Sequence, residues 1–274
     1  LQTKHRGGLW RVRIDDIDQT RCIKGMDSQI LHTLEAFGLH WDGVIRYQSR
    51  TTEAYQEALQ QLQRSGLAYR CDCSRSQIKA IAELGLEGPI YPGTCRAKSA
   101  ADNWKQNSAE NRAHAIRVIT HNQTIQFHDR LYGLQQQCIA QAIGDFVIRR
   151  VDGYFAYQLA VVVDDQLAGI NQVVRGEDLL SSTPRQIYLQ QQLQIETPAY
   201  LHLPLVKDAT GRKLSKRDQD HPIDQQQPIK AMLAAWHYLG QAMPDASDIS
   251  LPDFLNWAIT HWQPNQISKT GNPQ

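Results

Sequence analysis

Three groups of residues in this sequence have types and spacings that can do chemistry. The first is the string Lys213-Leu214-Ser215-Lys216-Arg217, where two lysines flank a serine behind a turn at Gly211. A mobile loop of this kind can close over a triphosphate and stabilise the charge that builds on phosphate as pyrophosphate leaves. A solvated basic loop has the same composition, so the string alone does not decide. The second group is Cys71-x-Cys73 followed by Tyr91-x-Gly93-x-Cys95. Three thiols so close together suit a tetrahedral zinc ion rather than three separate buried cysteines. Pro92 and Gly93 let the backbone return to the metal, and spacing leaves the fourth ligand open between Tyr91 and a water. The third group is Arg13-Ile14-Asp15-Asp16-Ile17-Asp18. Its carboxylates can hold an amino group, a ribose or Mg²⁺, or can answer the positive end of a helix that starts beside them.

The elements around these groups must position them. Leu9 to Ile14 alternates apolar and basic residues, which predicts a strand that delivers the carboxylates to its C-terminal end. Ligands bind at that edge of open α/β sheets. Apolar residues at helical spacing predict helices from Met26 to Phe37, stopped by Gly38, and from Thr52 to Ser65. The cysteine-bearing stretch 67–103 reads as an inserted lobe. Short strands are predicted at Ala115–Ile119, Ile125–His128 and Phe146–Arg150, the last turned by Asp152-Gly153. Ala156 to Val163 is apolar enough to be buried, as helix or strand. Val173 to Asp178 is a strand, Thr183-Pro184 caps and opens a helix, and His202 to Val206 is a strand leading to the lysine loop. Residues 218–227 read as a flexible link. Helices follow from Pro228 and from Phe254 to Trp262, and the polar tail after Pro264 is expected to be disordered.

Composition limits the classes. The chain has 274 residues, 41% hydrophobic and 21% charged, as in ordinary globular proteins. Its net charge of +1 gives no global case for nucleic acid, so an RNA contact needs a local patch. Arg46, Arg50, Arg64, Arg70, Arg149, Arg150 and Arg185 are scattered candidates. No apolar run reaches the roughly 18–20 residues of a membrane span. Five cysteines, an odd number, favour reduced thiols or metal ligands over disulfides. The expected compartment is the cytoplasm.

Taken in order, Val-Arg-Ile-Asp-Asp-Ile-Asp from Val12, the cysteine lobe, the apolar run from Asp152 to Asp165, Val-Arg-Gly-Glu-Asp-Leu from Val174, His-Leu-Pro-Leu from His202 and Lys-Leu-Ser-Lys from Lys213 form a series. It resembles the catalytic body of glutamyl-tRNA synthetases, class I enzymes with a Rossmann-type α/β fold, over roughly residues 7 to 217. The resemblance implies activation of glutamate by ATP with Mg²⁺. It assigns Lys216 to ATP, with Lys213 and Ser215 in the same catalytic loop, and Asp15, Tyr157 and Arg175 to glutamate. A guanidinium matches a carboxylate in bidentate fashion, although Arg175 can equally pair with Glu177 or Asp178, and Tyr157 can be core. Asp15 stands where the family usually has Glu.

The short stretch after Arg217 matches the glutamyl-Q tRNA(Asp) synthetase branch. That branch implies Cys71, Cys73, Tyr91 and Cys95 as zinc ligands, and transfer of glutamate to queuosine at the wobble position of tRNA(Asp). Rival readings are a fragment of a synthetase acting on the tRNA 3′ end and a non-catalytic tRNA-binding zinc protein. The implied layout is a first catalytic part at 1–66, an inserted zinc-binding and acceptor-like lobe at 67–150, a second catalytic part at 151–227 and a short helical segment with a polar tail at 228–274, in a monomer. The chain begins at Leu1 without the family's His-x-Gly-His-like signature, so it reads as lacking its first strand. That predicts unpaired backbone on two neighbouring strands and a chain that is poorly stable and inactive by itself.

Overall fold

The computed structural model describes residues 1–85, 87–96, 113–208, 211–214, 223–245 and 248–270. Its elements in chain order are α1 (Gln2–His5), β1 (Arg13–Ile14), α2 (Met26–Ala36), β2 (Arg46–Tyr47), α3 (Thr52–Arg64), β3 (Ala68–Cys71), α4 (Arg75–Ile81), β4 (Leu84–Gly85), β5 (Gly88–Pro89), β6 (Ala115–Val118) and β7 (Thr124–Asp129). They continue with β8 (Gly133–Cys138), α5 (Ile139–Ala142), β9 (Phe146–Arg149), α6 (Tyr157–Leu167), β10 (Gln172–Gly176), α7 (Thr183–Leu193), β11 (Ala199–Leu203), α8 (Pro228–Tyr238) and α9 (Leu251–His261).

The strands form an α/β architecture in pieces. β10, β11 and β7 run parallel, and β7 turns back into antiparallel β8. β1 and β2 form a separate parallel pair. Among the described residues β1 pairs only with β2 and β10 only with β11, so each keeps one open edge. β3, β6 and β9 form an antiparallel sheet in the cysteine lobe. One core joins that lobe to the parallel sheet. Tyr55, Leu59 and Leu62 of α3 pack with Val118, Ile148, Leu159, Val162, Ile187 and Leu189. The spacing of the three α3 residues places them on one helical face. The run resolves as helix from Tyr157: Leu159 to Asp164 are all buried, and a helix apolar all round belongs inside.

Several predicted elements change. The Leu9–Ile14 strand shrinks to Arg13–Ile14, because the Trp10 N–H donates to the Asp42 carboxylate instead of to a neighbouring strand. Thr183 does not cap α7; it is already helical, and its hydroxyl is used by Arg175 and Leu179. β8 and α5 had no signal, since Gln135, Gln136 and Gln137 carry no apolar alternation. The tail after Pro264 is not disordered through residue 270. Pro264–Gln266 forms a 3₁₀ turn, and Ile267 is buried against Trp236, Phe254 and Trp262 of the C-terminal helices. The predicted link lies partly outside the described residues; Gln225 within it donates to Thr33 of α2.

Candidate substrate site and a three-cysteine cluster

Three neighbouring parallel strands each place one polar residue at their carboxyl ends. Arg175 of β10 is in register with His202 of β11, and Tyr200 of β11 with Asp129 of β7. The Arg175 Nε donates to His202 Nε2 at 3.1 Å, and its Nη2 donates to Thr183 Oγ1 at 2.8 Å. Across the imidazole, His202 Nδ1 lies 2.7 Å from Asp129 Oδ2, with both side chains fully buried. Asp129 also accepts the N–H groups of Leu131, Tyr132 and His202. Glu177 and Asp178 do not pair with Arg175: Glu177 meets Tyr132 and Lys207, and Asp178 meets Lys213.

Tyr157 opens α6 with a third of its surface exposed, so it is not simply core. Burial raises its phenol, while the charges of Arg175, Asp15 and Arg13 all reach it. The charges of Arg175 and Asp15 thus both act on the Tyr157 phenol. Asp15 is held by Arg13 Nε at 2.6 Å, and the same guanidinium reaches Asp165 of α6 at 2.6 Å. This arginine ties the β1–β2 pair to the helix that carries Tyr157. Asp16 and Asp18 do other work. Asp16 accepts the N–H and hydroxyl of Ser49, and Asp18 pairs with Arg150 at 2.6 Å. Neither starts a helix, since α2 begins at Met26.

The lysine loop begins as a tight hairpin. Asp208 N–H donates to Arg212 O at 2.8 Å and Leu214 N–H to Val206 O at 3.0 Å, with Gly211 at φ +81 in the turn. Lys213 is paired with Asp178 at the end of β10. Ser215, Lys216 and Arg217 lie outside the described residues. The scattered arginines are mostly engaged within the chain, among them Arg150 with Asp18 and Asp152 and Arg185 with Glu87.

In the lobe, the sulfurs of Cys71, Cys73 and Cys95 all lie within 4.8 Å of one another. Cys73 and Cys95 sulfurs are 3.4 Å apart, and the Tyr91 hydroxyl is 3.3 Å from the Cys71 sulfur and 3.7 Å from that of Cys73. A tetrahedral ion with bonds of about 2.3 Å to sulfur sets its ligand atoms about 3.8 Å apart, so the three sulfurs fit one metal ion, with the Tyr91 hydroxyl beside them accepting the Cys95 N–H at 3.0 Å. Arg117 lies against the cluster, its Nε 3.3 Å from the Cys71 sulfur and its guanidinium 3.8 Å over the Tyr91 ring. A cation there would offset the excess negative charge of several thiolates around a divalent ion, were one bound. The lobe needs Gly144 for this closure. It adopts φ +74, and a Cβ would stand 2.2 Å from the Tyr91 carbonyl oxygen.

The sequence marks Arg175, Tyr157, Asp15 and the cysteines, gives Thr183 only a helix-capping role, and gives none to His202, Asp129, Asp165 or Arg117. His202 and Asp165 stand in quoted motifs; Asp129 and Arg117 carry no local pattern, because their partners are far along the chain.

Residues 1–244 match the family described as tRNA synthetases class I (E and Q), catalytic domain. A glutamyl-Q tRNA(Asp) synthetase of Neisseria meningitidis serogroup C is 44% identical over 268 residues, 97% of this chain and 88% of that one. One from Xanthomonas campestris pv. campestris is 45% identical over 274 residues, 99% and 86% of the two chains. A glutamate-tRNA synthetase structure from Elizabethkingia anophelis superposes with a TM-score of 0.73 at 22% identity, over 98% of this chain and 62% of that one. That likeness shows a shared fold. No described helix is long and apolar enough to cross a membrane. With the polar cluster at the parallel-strand ends and the cysteine lobe in place, the chain belongs to the class I (E and Q) tRNA synthetase family, beside the glutamyl-Q tRNA(Asp) synthetases.

Proposed function

We propose that this protein activates glutamate with ATP and transfers it to queuosine at the wobble position of tRNA(Asp). The observation that carries this reading is the likeness, at 44% and 45% identity and nearly end to end, to relatives named for that activity. In the first step a carboxylate oxygen of glutamate attacks the α-phosphorus of ATP and pyrophosphate leaves. In the second a queuosine hydroxyl attacks the acyl carbon, AMP leaves, and the hydroxyl proton passes to solvent.

Arg175 has Nε and Nη2 committed to His202 and Thr183, which leaves Nη1 without a partner among the described residues. It pairs with the side-chain carboxylate of glutamate, a charge-assisted contact. Tyr157 and Asp15 orient the amino acid from the facing side, with Asp15 reaching the amino group directly or through water. Lys213 leaves Asp178 for the phosphates and acts there with Ser215 and Lys216, while Mg²⁺ accompanies ATP. Cys71, Cys73, Cys95 and Tyr91 hold one structural zinc, which when bound braces the lobe. Residues 1–66 and 151–227 supply the catalytic halves, 67–150 the lobe, and 228–274 the helical close, in a cytoplasmic monomer.

Labelled glutamate, ATP and tRNA(Asp) with or without queuosine test the acceptor in the full-length gene product. Acid-stable counts are expected only on the modified tRNA. Label on the 3′ end of unmodified tRNA indicates a 3′-end synthetase instead. tRNA binding without glutamate-dependent pyrophosphate exchange indicates a non-catalytic protein.

A further inference from the structure

Arg175 is fixed in an unusual way for a buried-edge arginine. A carboxylate against the guanidinium is the ordinary means of holding it, and it would cancel the charge that an anionic ligand needs. Here the nearest fixing acceptors are neutral: Thr183 Oγ1 at 2.8 Å, His202 Nε2 at 3.1 Å and the Leu179 carbonyl at 3.4 Å. The carboxylate of Asp129 stands one ring further away, against His202 Nδ1 at 2.7 Å.

This geometry forces the imidazole tautomer. An arginine N–H only donates, so His202 Nε2 must present its lone pair, and the ring proton must sit on Nδ1. Asp129 is the group that holds it there. Its other oxygen takes the N–H groups of Leu131 at 3.0 Å and Tyr132 at 2.9 Å, so the carboxylate cannot rotate away. Both side chains are fully buried, and neither can touch a substrate.

We propose that Asp129 and His202 are positioning residues that seat Arg175 while leaving its charge undivided, and thereby set the preference for glutamate over its side-chain amide, glutamine. The inference rests on the functional reading given above. Asp129 fixes the proton on the far ring nitrogen, the near nitrogen accepts from Arg175, and the guanidinium presents Nη1, without a partner among the described residues, to the ligand. With the acid at one remove, the arginine still discriminates an anionic side chain from a neutral one.

Asp129→Asn is the sharpest test, because it keeps size and shape. Both carboxylate oxygens accept backbone N–H groups, so the amide NH2 must face donors in either orientation. Turned toward His202 it moves the ring proton to Nε2 and sets two donors face to face at Arg175; turned toward Leu131 and Tyr132 it loosens the acid that holds the ring. In glutamate-dependent pyrophosphate exchange by the full-length gene product, KM for glutamate is expected to rise about 10- to 100-fold, the range set by one charge-assisted hydrogen bond. kcat and KM for ATP should stay within about threefold, and the glutamate-to-glutamine ratio should fall. His202→Gln retains an acceptor for Arg175 and His202→Leu does not, so Leu should raise KM for glutamate more than Gln does. Thermal melting accompanies each variant, and if Asp129→Asn does not fold, the Gln and Leu pair decides. Unchanged KM for glutamate in folded variants overturns the inference while the functional reading stands. Equal losses in Gln and Leu that follow melting temperature, with kcat falling too, reduce the pair to scaffolding and also overturn it. Absence of exchange in the unaltered protein overturns both together.

Discussion

Asp129 sits where two opposing effects meet. Burial pushes its carboxyl up, but hydrogen bonds from His202 and from the Tyr132 and Leu131 N–H groups outweigh burial and hold it below its ordinary value of 3.8. A carboxyl lowered in the fold adds stability that is present above its unfolded value and lost as pH falls through the folded one. The melting-temperature gap between the unaltered protein and Asp129→Asn should therefore be widest above about pH 5 and should close as pH drops below 3.8. A gap independent of pH would contradict this account of the carboxyl. At the ligand side, Arg175→Lys keeps a charge but loses the planar fork that bonds His202 and Thr183 together. Loss of about 1.5–3 kcal/mol in glutamate binding, roughly 10- to 100-fold in KM, is expected, with KM for ATP unchanged. At this scale the sequence was informative wherever chemistry is local. The three cysteines and Tyr91 fall within 25 positions, and Arg175 stands in a quoted string. The Asp129–His202 pair was not legible, because its partners are 73 positions apart and meet only through sheet register.

Elements position these residues by packing rather than by propensity. The helices α3, α8 and α9 are legible, since one buried face leaves a periodic trace; α2 has the same spacing, although it buries no residue fully. β8 and α5 were not, because a polar strand of three glutamines owes its state to pairing with β7. The tail after Pro264 was misread for a related reason: one apolar residue, Ile267, anchors it among the tryptophans. Two substitutions test this level. Gly144→Ala adds a Cβ at 2.2 Å from the Tyr91 carbonyl oxygen in a left-handed turn. It should lower stability by more than about 1–2 kcal/mol and loosen metal retention, whereas Gly153→Ala, at φ +90 with open space around it, should carry only the backbone cost. Trp236, 2% exposed, packs with Phe254, Trp257 and Trp262, and Trp236→Ala should cost about 3–5 kcal/mol in denaturant titration. A loss under 1 kcal/mol would show that the C-terminal helices do not stabilise the body.

For the whole molecule, the lobe and the parallel sheet share one hydrophobic core, so a metal in the lobe is expected to stabilise the entire chain. Purified protein should carry one zinc per chain, and chelation should lower its melting temperature by several degrees. Metal content near zero with an unchanged melt would leave the cysteines as buried thiols. The central claim concerns the acceptor, and it is tested most directly by transfer of labelled glutamate in the presence of ATP to tRNA(Asp) that differs only in queuosine. The account predicts label on the queuosine-bearing tRNA alone, at the anticodon. Equal label on both forms, or label at the 3′ end, would contradict it.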